Sequence, residues 1–212
     1  TDRALAAVGV AYTYSENDLS GVPGTGPVVV VANHPFGGIE GVVLLSLLKR
    51  VRPDVRVMAN YLLQAIPEMR EDFIFVDPFG SSGSARANLK PIKECMAWLK
   101  QGGLLVVFPA GEVSSYDRRA NRVRDKAWSA SIAAIIRKTE ATAVPMFFAG
   151  RNSTAFNAAG MLHARFRTLL LVRELINKRG RRLLVRIGSP LPWKHLEAVA
   201  MDDAVLVNYL RF

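Results

Sequence analysis

Short apolar runs of strand length alternate with helical patterns along most of this 212-residue chain. The apolar runs lie at residues 27–32, 55–59, 73–76, 104–108, 143–149 and 183–187. The helical patterns lie at residues 37–51, 87–103, 125–140 and in part of 163–178. Strands that alternate with helices are typical of an α/β fold. We therefore predict one α/β domain over residues 1–212, with a mostly parallel or mixed central sheet flanked by helices.

Three residues inside the helical patterns carry specific structural expectations. Pro91 should lie near the start of the second helix or kink it, because proline disrupts the hydrogen bonds of a helix interior. Asp125 is a candidate N-cap for the third helix, since a carboxylate can accept from the first free amides. Cys95 lies on an apolar helix face and should pack in the core.

The length of the chain is sufficient for a core that needs no disulfide staples. The single cysteine excludes an internal disulfide framework and weakly favours a reducing compartment. No apolar run approaches the ~18 residues that a membrane-spanning helix requires. The chain starts with Thr1 rather than Met, which predicts that further residues precede it in the natural protein.

The net charge of +10 and the pI of about 10.2 predict an anionic partner. Nucleic acid, an anionic membrane surface and a phosphate-bearing substrate all fit this charge. The basic residues cluster at 118–126 and 165–186, although each cluster is also compatible with a solvated basic face. The sequence contains few aromatic residues and no groove-reading motif, so we expect no nucleic-acid partner, and a basic nucleic-acid-binding module stays only as an alternative.

The segment "ANHPFGGIEG" after the first strand places a histidine, two glycines and a carboxylate in one short turn. Pro35 lets the strand continue up to His34, and the glycines then permit a sharp turn. Glu40 falls in the first turn of the next helix, where a carboxylate is favoured. We predict that His34 is a general base oriented by Glu40. Alternatively, His34 is a structural loop residue and Glu40 an ordinary helix-start acid.

No serine or cysteine lies close enough in the sequence to suggest a protein nucleophile beside His34. The base is therefore expected to activate a hydroxyl group of a substrate. Four segments then resemble, in order, the motifs of the glycerolipid acyltransferase superfamily, which includes the lysophosphatidic acid acyltransferases. They read "NHPFGGIEG", "EDFIFVDPFGSSGSARANL", "GGLLVVFPAGEVSS" and "ATAVPMFFAGRNS".

This resemblance covers approximately residues 25–190. Within the superfamily, the sequence looks most similar to the haemolysin-like branch, which is related to the ornithine-lipid acyltransferases. It implies a glycerol-3-phosphate acyltransferase-like fold. It also implies transfer of a fatty acyl group from acyl-CoA or acyl-carrier protein to a hydroxyl of a lysophospholipid or related lysolipid. These donors are co-substrates, and neither a cofactor nor a metal is expected, since His34, His163 and His195 show no ligand spacing.

The first and third motifs depart from the family pattern. The family spaces its histidine and aspartate by four residues, whereas here five residues intervene and the acid is Glu40. In the third motif Ala110 stands in place of a glutamate, and Glu112 follows two positions later. Val113 stands in place of the arginine of that motif.

The second motif departs in the residue that normally binds the phosphate of the acceptor. Asp77 and Pro78 occupy the place of that arginine, and the nearest arginine is Arg86. The resemblance therefore leaves a phosphate-bearing acceptor less favoured. A lysolipid whose head group needs a carboxylate such as Glu112 or Asp77 is the alternative.

The mechanism implied by the resemblance uses His34 to deprotonate the acceptor hydroxyl or amine, which then attacks the thioester. Backbone amides near Gly37, Gly38 or Gly111 are candidate donors to the oxyanion. Basic side chains near the site loops would hold phosphates of the donor or the lipid head group. The predicted substrate-binding residues are Asn33, Gly37, Gly38, Pro109, Gly111, Glu112, Ser114, Arg86, Arg118, Arg119 and Arg151.

Two alternatives to an acyltransferase share the same lipid substrates. A hydrolase would use His34 to activate water on a lipid or thioester, and a degenerate relative would bind lipid without reaction. The altered motifs are compatible with the hydrolase and with the lipid-binding relative, so both remain alternatives to the acyltransferase. The expected location is the cytoplasmic face of the inner membrane, held peripherally at an anionic surface, or the cytoplasm.

Overall fold

Seven strands form one sheet in the computed structural model, which describes residues 2–65, 67, 70–77, 84–162 and 164–211. The strands of the described residues are β1 (Ala11–Thr13), β2 (Val28–Ala32), β3 (Val55–Asn60), β4 (Phe73–Val76), β5 (Leu104–Val107), β6 (Ser115–Asp117), β7 (Arg122–Arg124), β8 (Thr142–Ala149) and β9 (Arg182–Ile187). The sheet has the order β1-β9-β8-β2-β5-β3-β4, and β6 and β7 form a separate antiparallel hairpin.

The sheet is mixed, as predicted. Strands β8, β2, β5, β3 and β4 run parallel to one another. Strand β9 pairs antiparallel with β8, and β1 pairs parallel with β9. All six strands expected from the apolar runs are confirmed to within one residue at each end.

Helices cover both faces of the sheet, which explains the unbroken run of four valines in β2. Val28 and Val30 face one hydrophobic core, whereas Val29 and Val31 face the other. Helix α3 (Ile39–Leu48) fills the first core, and α4 (Ser84–Lys100) and α5 (Ser131–Thr139) line the second. A strand buried on both faces has no polar side to alternate with its apolar side.

The remaining helices are short or lie at the rim of the sheet. They are α1 (Asp2–Val8), α2 (Glu16–Ser20), α6 (Thr154–Leu162), α7 (Ala164–Ile176), α8 (Trp193–Leu196) and α9 (Asp203–Arg211), with a 3₁₀ helix at Tyr61–Ala65. None of the helices within the described ranges has the length and apolarity needed to cross a bilayer.

The expectations for single helix residues had mixed outcomes. Pro91 lies in the interior of α4. The prediction that Asp125 caps the third helix is wrong, because α5 begins at Ser131 and its N-cap is Ala130. Cys95 is buried as predicted, and this burial raises the pKa of its thiol to about 12.

The parallel strands bring three loops of the predicted motifs to one edge of the sheet. The first motif follows β2, the third follows β5, and the fourth follows β8, and these three strands are immediate neighbours. The carboxyl ends of parallel strands are where ligands bind in α/β sheets. Much of the loop of the second motif, residues 78–83, lies outside the described residues.

Candidate active site

The turn after β2 brings the His34 imidazole against the Glu40 carboxylate. Gly37 and Gly38 both have positive φ angles, 88° and 94°, a backbone conformation that side chains other than glycine rarely adopt. The chain therefore reverses within two residues and enters α3, whose first turn contains Glu40. Nδ1 of His34 lies 3.3 Å from Oε1 of Glu40. The two side chains are thus adjacent, as the spacing of the turn predicts.

Glu40 is fully buried, and the turn itself supplies its hydrogen-bond donors. The backbone amides of Phe36 and Gly37 donate to Oε1 at 2.6 Å and 3.2 Å. Burial alone would raise the pKa of Glu40, but the charge and close contact of His34, with smaller effects from the amides of Phe36 and of Glu40 itself, outweigh it and lower the pKa below its ordinary value. The carboxylate is therefore ionised at neutral pH and can fix the orientation of the imidazole.

His34 is held between Glu40 and an aromatic ring, with 16% of its side chain exposed. The Phe108 ring lies 4.5 Å from the imidazole, centroid to centroid. Burial lowers the pKa of His34, but the charge and close contact of Glu40, with a smaller effect from Asp125, raise it above its ordinary value. Since Nδ1 faces Glu40, Nε2 is the nitrogen that remains for a substrate.

Asp125 is a site residue that the sequence analysis misassigned as a helix cap. Its Oδ1 accepts from the backbone amide of His34 at 3.2 Å and from the hydroxyl of Ser114, and its Oδ2 accepts from Nε1 of Trp128 at 3.1 Å. The side chain is buried and so joins the first-motif turn to the third-motif loop. The signal in the sequence is one acid inside the basic segment 118–126.

The first and third motifs also meet through their backbones. The amide of Ser114 donates to the carbonyl of His34 at 2.8 Å. Asn33, predicted to bind substrate, uses its side-chain amide to bond both backbone groups of Phe148, at 2.7 Å and 3.0 Å. Asn33 therefore ties the end of β2 to the end of β8, and contact with a substrate stays a prediction for this residue.

Two of the three glycine amides that were expected to bind an oxyanion already donate hydrogen bonds within the protein. The Gly37 amide donates to Glu40, and the Gly111 amide donates to the carbonyl of Phe108 at 3.0 Å. An amide that already has an internal acceptor is not free to stabilise a developing charge. The Gly38 amide, which has no acceptor in the described part of the chain, is the remaining candidate of the three.

The other third-motif residues make contacts within the protein. Pro109 is buried, and its carbonyl accepts from the amide of Ser129 at 2.9 Å. Glu112 forms an ion pair of 2.6 Å with Lys126. A head-group contact by Glu112 would therefore have to compete with Lys126.

The predicted basic residues are distributed unevenly around the site. Arg118 and Arg119 lie exposed at the tip of the β6–β7 hairpin, and no contact joins them to His34 or Glu40 among the described residues. The side chain of Arg86 lies outside the described part of α4. Arg151 follows β8 and lines an open cavity of about 530 Å³ at the same edge of the sheet as His34. The prediction for Arg151 thus has a structural setting, which the described contacts of Arg118 and Arg119 do not provide.

The arrangement at this edge of the sheet is suited to general-base chemistry by His34. His34 can take up a proton on Nε2, and Glu40 can stabilise the resulting imidazolium. Across the described ranges, no group of three or more His, Cys, Asp or Glu side chains is arranged to hold a metal ion.

A profile of a protein family described as "Acyltransferase" matches residues 4–211. The chain belongs to this acyltransferase family. The predicted superfamily is therefore confirmed, and the match extends beyond the 25–190 region of the four motifs on both sides.

Two curated relatives of this acyltransferase family member are lyso-glycine lipid O-acyltransferases. The protein of Phocaeicola vulgatus is 30% identical over 183 residues, which is 83% of this chain and 63% of the relative. The protein of Bacteroides thetaiotaomicron is 30% identical over 186 residues, which is 83% of this chain and 65% of the relative. The chain thus spans slightly less than two thirds of the length of these relatives.

The fold resembles that of a solved acyltransferase. The crystal structure of the 1-acyl-sn-glycerophosphate (LPA) acyltransferase PlsC from Thermotoga maritima matches with a TM-score of 0.60 and 16% identity. The match covers 99% of this chain and 72% of PlsC. The predicted fold, an α/β domain with a mixed sheet of the acyltransferase type, is therefore confirmed.

Proposed function

We propose that this chain carries the catalytic domain of a lysolipid O-acyltransferase that uses the His34–Glu40 pair as its general base. The observation that carries the proposal is the 3.3 Å contact between Nδ1 of His34 and the buried carboxylate, in a chain of an acyltransferase family. The names of the two curated relatives support a lysolipid with a glycine head group as the acyl acceptor. An acyl thioester, either acyl-CoA or acyl-carrier protein, is the proposed donor.

The proposed reaction proceeds by proton transfer and acyl exchange. Nε2 of His34 removes the proton of the acceptor hydroxyl as its oxygen attacks the thioester carbonyl carbon, which forms the new C–O bond. Collapse of the tetrahedral intermediate breaks the C–S bond, and the imidazolium returns its proton to the departing thiolate. The products are the acylated lipid and the free thiol of the donor, and His34 ends in its initial state.

Two features of the turn support this assignment of roles. Glu40 stays ionised because its pKa is lowered, so its negative charge faces the imidazole where positive charge develops. The Gly38 amide lies in the same turn and is the proposed donor to the oxyanion of the intermediate. Both groups are fixed before the substrate arrives, and no reorganisation is needed during the reaction.

We also propose that the domain works at an anionic membrane surface, which Leu169, Val172 and Ile176 of α7 contact directly. These side chains are 76%, 67% and 62% exposed, and their spacing places them on one face of the helix. Arg173 is exposed beside them. On the inner side of α7, Leu171 packs against Gly37, so the helix that carries the exposed face lies next to the catalytic turn.

The net charge of +10 complements anionic lipid, to which each nearby basic residue contributes about 1 kcal/mol. The cytoplasmic leaflet is the proposed location because its anionic lipids attract basic segments. Sedimentation with phosphatidylglycerol vesicles should fall for Val172→Glu but not for Leu89→Glu, an equally apolar exposed position on α4. Equal binding by both variants would reject this face as the membrane contact.

The reaction is tested by incubating the purified protein with a lyso-glycine lipid and either acyl-CoA or acyl-carrier protein, followed by mass spectrometry of the lipids. We expect the O-acylated lipid from the wild-type protein and about 10²–10⁴-fold slower formation of it by His34→Ala. Release of free fatty acid without acylated lipid would show a hydrolase instead. Lipid binding without either product would indicate a scaffold, and salt-sensitive nucleic-acid binding without turnover would indicate a nucleic-acid-binding module.

A further inference from the structure

An open cavity with a basic rim lies beside the catalytic turn and has no role in the proton transfer described above. Its volume is about 530 Å³, and it opens beyond the carboxyl end of β8. Arg151, Thr154, Asn177 and Arg181 form its rim, and Glu174 and Lys178 form its floor. We refer to it as the arginine cavity.

The floor of the arginine cavity is a buried and internally neutral network. Lys178 and Glu174 are 4% and 2% exposed, and Nζ of Lys178 lies 3.2 Å from Oε2 of Glu174. Nζ also donates to Oδ1 of Asn152 at 2.8 Å, and Glu174 accepts from the amide and hydroxyl of Ser153. The charges of the floor therefore compensate each other and leave no surplus for a ligand.

The rim, in contrast, carries two positive charges without compensation. Neither guanidinium of Arg151 and Arg181 has a hydrogen-bond or ion-pair partner in the described part of the chain, and both residues are exposed. Helix α6 begins at Thr154, so its positive dipole end faces the same space. Two unpaired guanidinium groups above a neutral floor favour an anionic ligand, which they can bind through paired hydrogen bonds.

The floor is bonded directly to the catalytic turn. The side-chain amide of Asn152 donates to the carbonyl of Phe36 at 3.1 Å, and the amide of Phe36 donates to Glu40. Nζ of Lys178 lies 5.0 Å from the centre of the Phe36 ring. Strands β2 and β8 are adjacent, with Ala32 paired to Met146, and Asn33 bonds the backbone of Phe148, so the loops that follow the two strands leave the same edge of the sheet.

We infer that the arginine cavity binds the anionic head group of the lysolipid acceptor while its hydroxyl lies at His34. This inference rests on the proposed function. A glycine head group joined through its nitrogen leaves its carboxylate free, and a carboxylate is an anion that two guanidinium groups can bind. A phosphate head group has the same chemistry, so the test includes both anions.

The test measures kcat and KM with three acceptors: a lyso-glycine lipid, its methyl ester and lysophosphatidic acid. The proteins are the wild type, Arg151→Gln, Arg181→Gln, the double variant and Arg186→Gln. Arg186 is an exposed residue on β9, five positions from Arg181, and provides the same change in net charge away from the cavity.

We expect the wild type to have a KM for the methyl ester at least about tenfold above that for the free acid, because the ester loses its charged hydrogen bonds. In the double variant, the free acid and the ester should have KM values within about threefold of each other. The kcat should stay within about threefold of wild type, because His34 and Glu40 are unchanged. Arg186→Gln should retain the wild-type discrimination.

Several outcomes would overturn the inference while leaving the proposed function intact. One is equal KM values for acid and ester in the wild type, and another is the same loss in Arg186→Gln as in the double variant. A higher KM for the acyl donor, with no change for any acceptor, would assign the cavity to donor phosphates.

Other outcomes have a different meaning. A rise in KM that is confined to lysophosphatidic acid in the arginine variants would support the cavity as a head-group site and identify phosphate as its anion. No turnover of any acceptor by the wild type would instead refute the proposed function.

Discussion

The catalytic turn and the arginine cavity lie one strand apart at the same edge of the sheet. The charged side chains at the turn have protein partners, whereas those at the rim of the cavity have none among the described residues. Glu40 in the turn and Asp125, which accepts from the His34 amide, are buried, and each is bonded to neighbouring protein groups. At the cavity rim, Arg151 and Arg181 face solvent with no partner in the described ranges. Charged groups with internal partners can stabilise charge that develops during a reaction, because their geometry is set before substrate arrives. Charges without partners are suited to a ligand.

Replacement of His34 tests the catalytic side of this comparison and should have the largest effect. His34→Ala should lower kcat by about 10²–10⁴-fold, the usual contribution of a positioned general base. The fold should persist, because Glu40 keeps the amides of Phe36 and Gly37 as donors. Steady-state kinetics and a circular dichroism spectrum measure both effects. A folded variant with wild-type kcat would remove His34 from the mechanism.

Truncation of Asp125 tests whether the buried network sustains the catalytic turn. Asp125→Ala leaves the amide of His34, the Ser114 hydroxyl and the Trp128 indole without an acceptor, so the free energy of unfolding should fall by about 3 kcal/mol. The kcat should fall with it, and Asp125→Asn should recover part of it because one acceptor oxygen remains.

Asp117→Ala is the matched control for Asp125. Asp117 also accepts from two amides and an arginine, but it lies in the β6–β7 hairpin and does not contact His34. Urea denaturation should show a clearly smaller loss of stability than for Asp125→Ala, because the interactions of Asp117 are screened by solvent, and kcat should change little. If both truncations cost the same stability and activity, the special position of Asp125 would be refuted.

The two glycines of the turn provide a smaller and sharper contrast. A Cβ atom at Gly37 would lie 2.7 Å from Leu171 and 2.8 Å from Val113, whereas one at Gly38 would meet nothing within 4 Å. Both positions have positive φ, so alanine is strained at each. Gly37→Ala should therefore be less stable than Gly38→Ala by about 1–3 kcal/mol in urea denaturation. Equal stabilities would show that α7 does not pack on the turn as described.

The sequence predicted the sheet well because its strands are short, apolar and buried on both faces. The unbroken valine run Val28–Val31 is typical of a central strand that is buried between two helical layers. The strands that were missed, β1, β6 and β7, have three residues each. Runs of that length contain too little pattern to separate a strand from a loop.

The candidate site was predictable only where its residues are close in sequence. His34 and Glu40 share one turn, so the spacing of the glycines indicated their contact. Asp125 reaches His34 across 91 positions, and Lys178 reaches Asn152 across 26, distances at which no local pattern operates. The sequence therefore revealed the base and its partner, but neither the residue that joins the two motif loops nor the floor of the arginine cavity.

The most direct test of the central claim is the pH dependence of kcat/KM, which reports the free enzyme, for the wild type and Glu40→Gln. A general base must be unprotonated, and Glu40 raises the pKa of His34 above its ordinary value despite burial, so the wild-type kcat/KM should rise with pH through a midpoint above that ordinary value. In Glu40→Gln the raising charge is gone and burial remains, so the midpoint should move to lower pH. The same midpoint in both proteins would contradict a base whose pKa is set by Glu40.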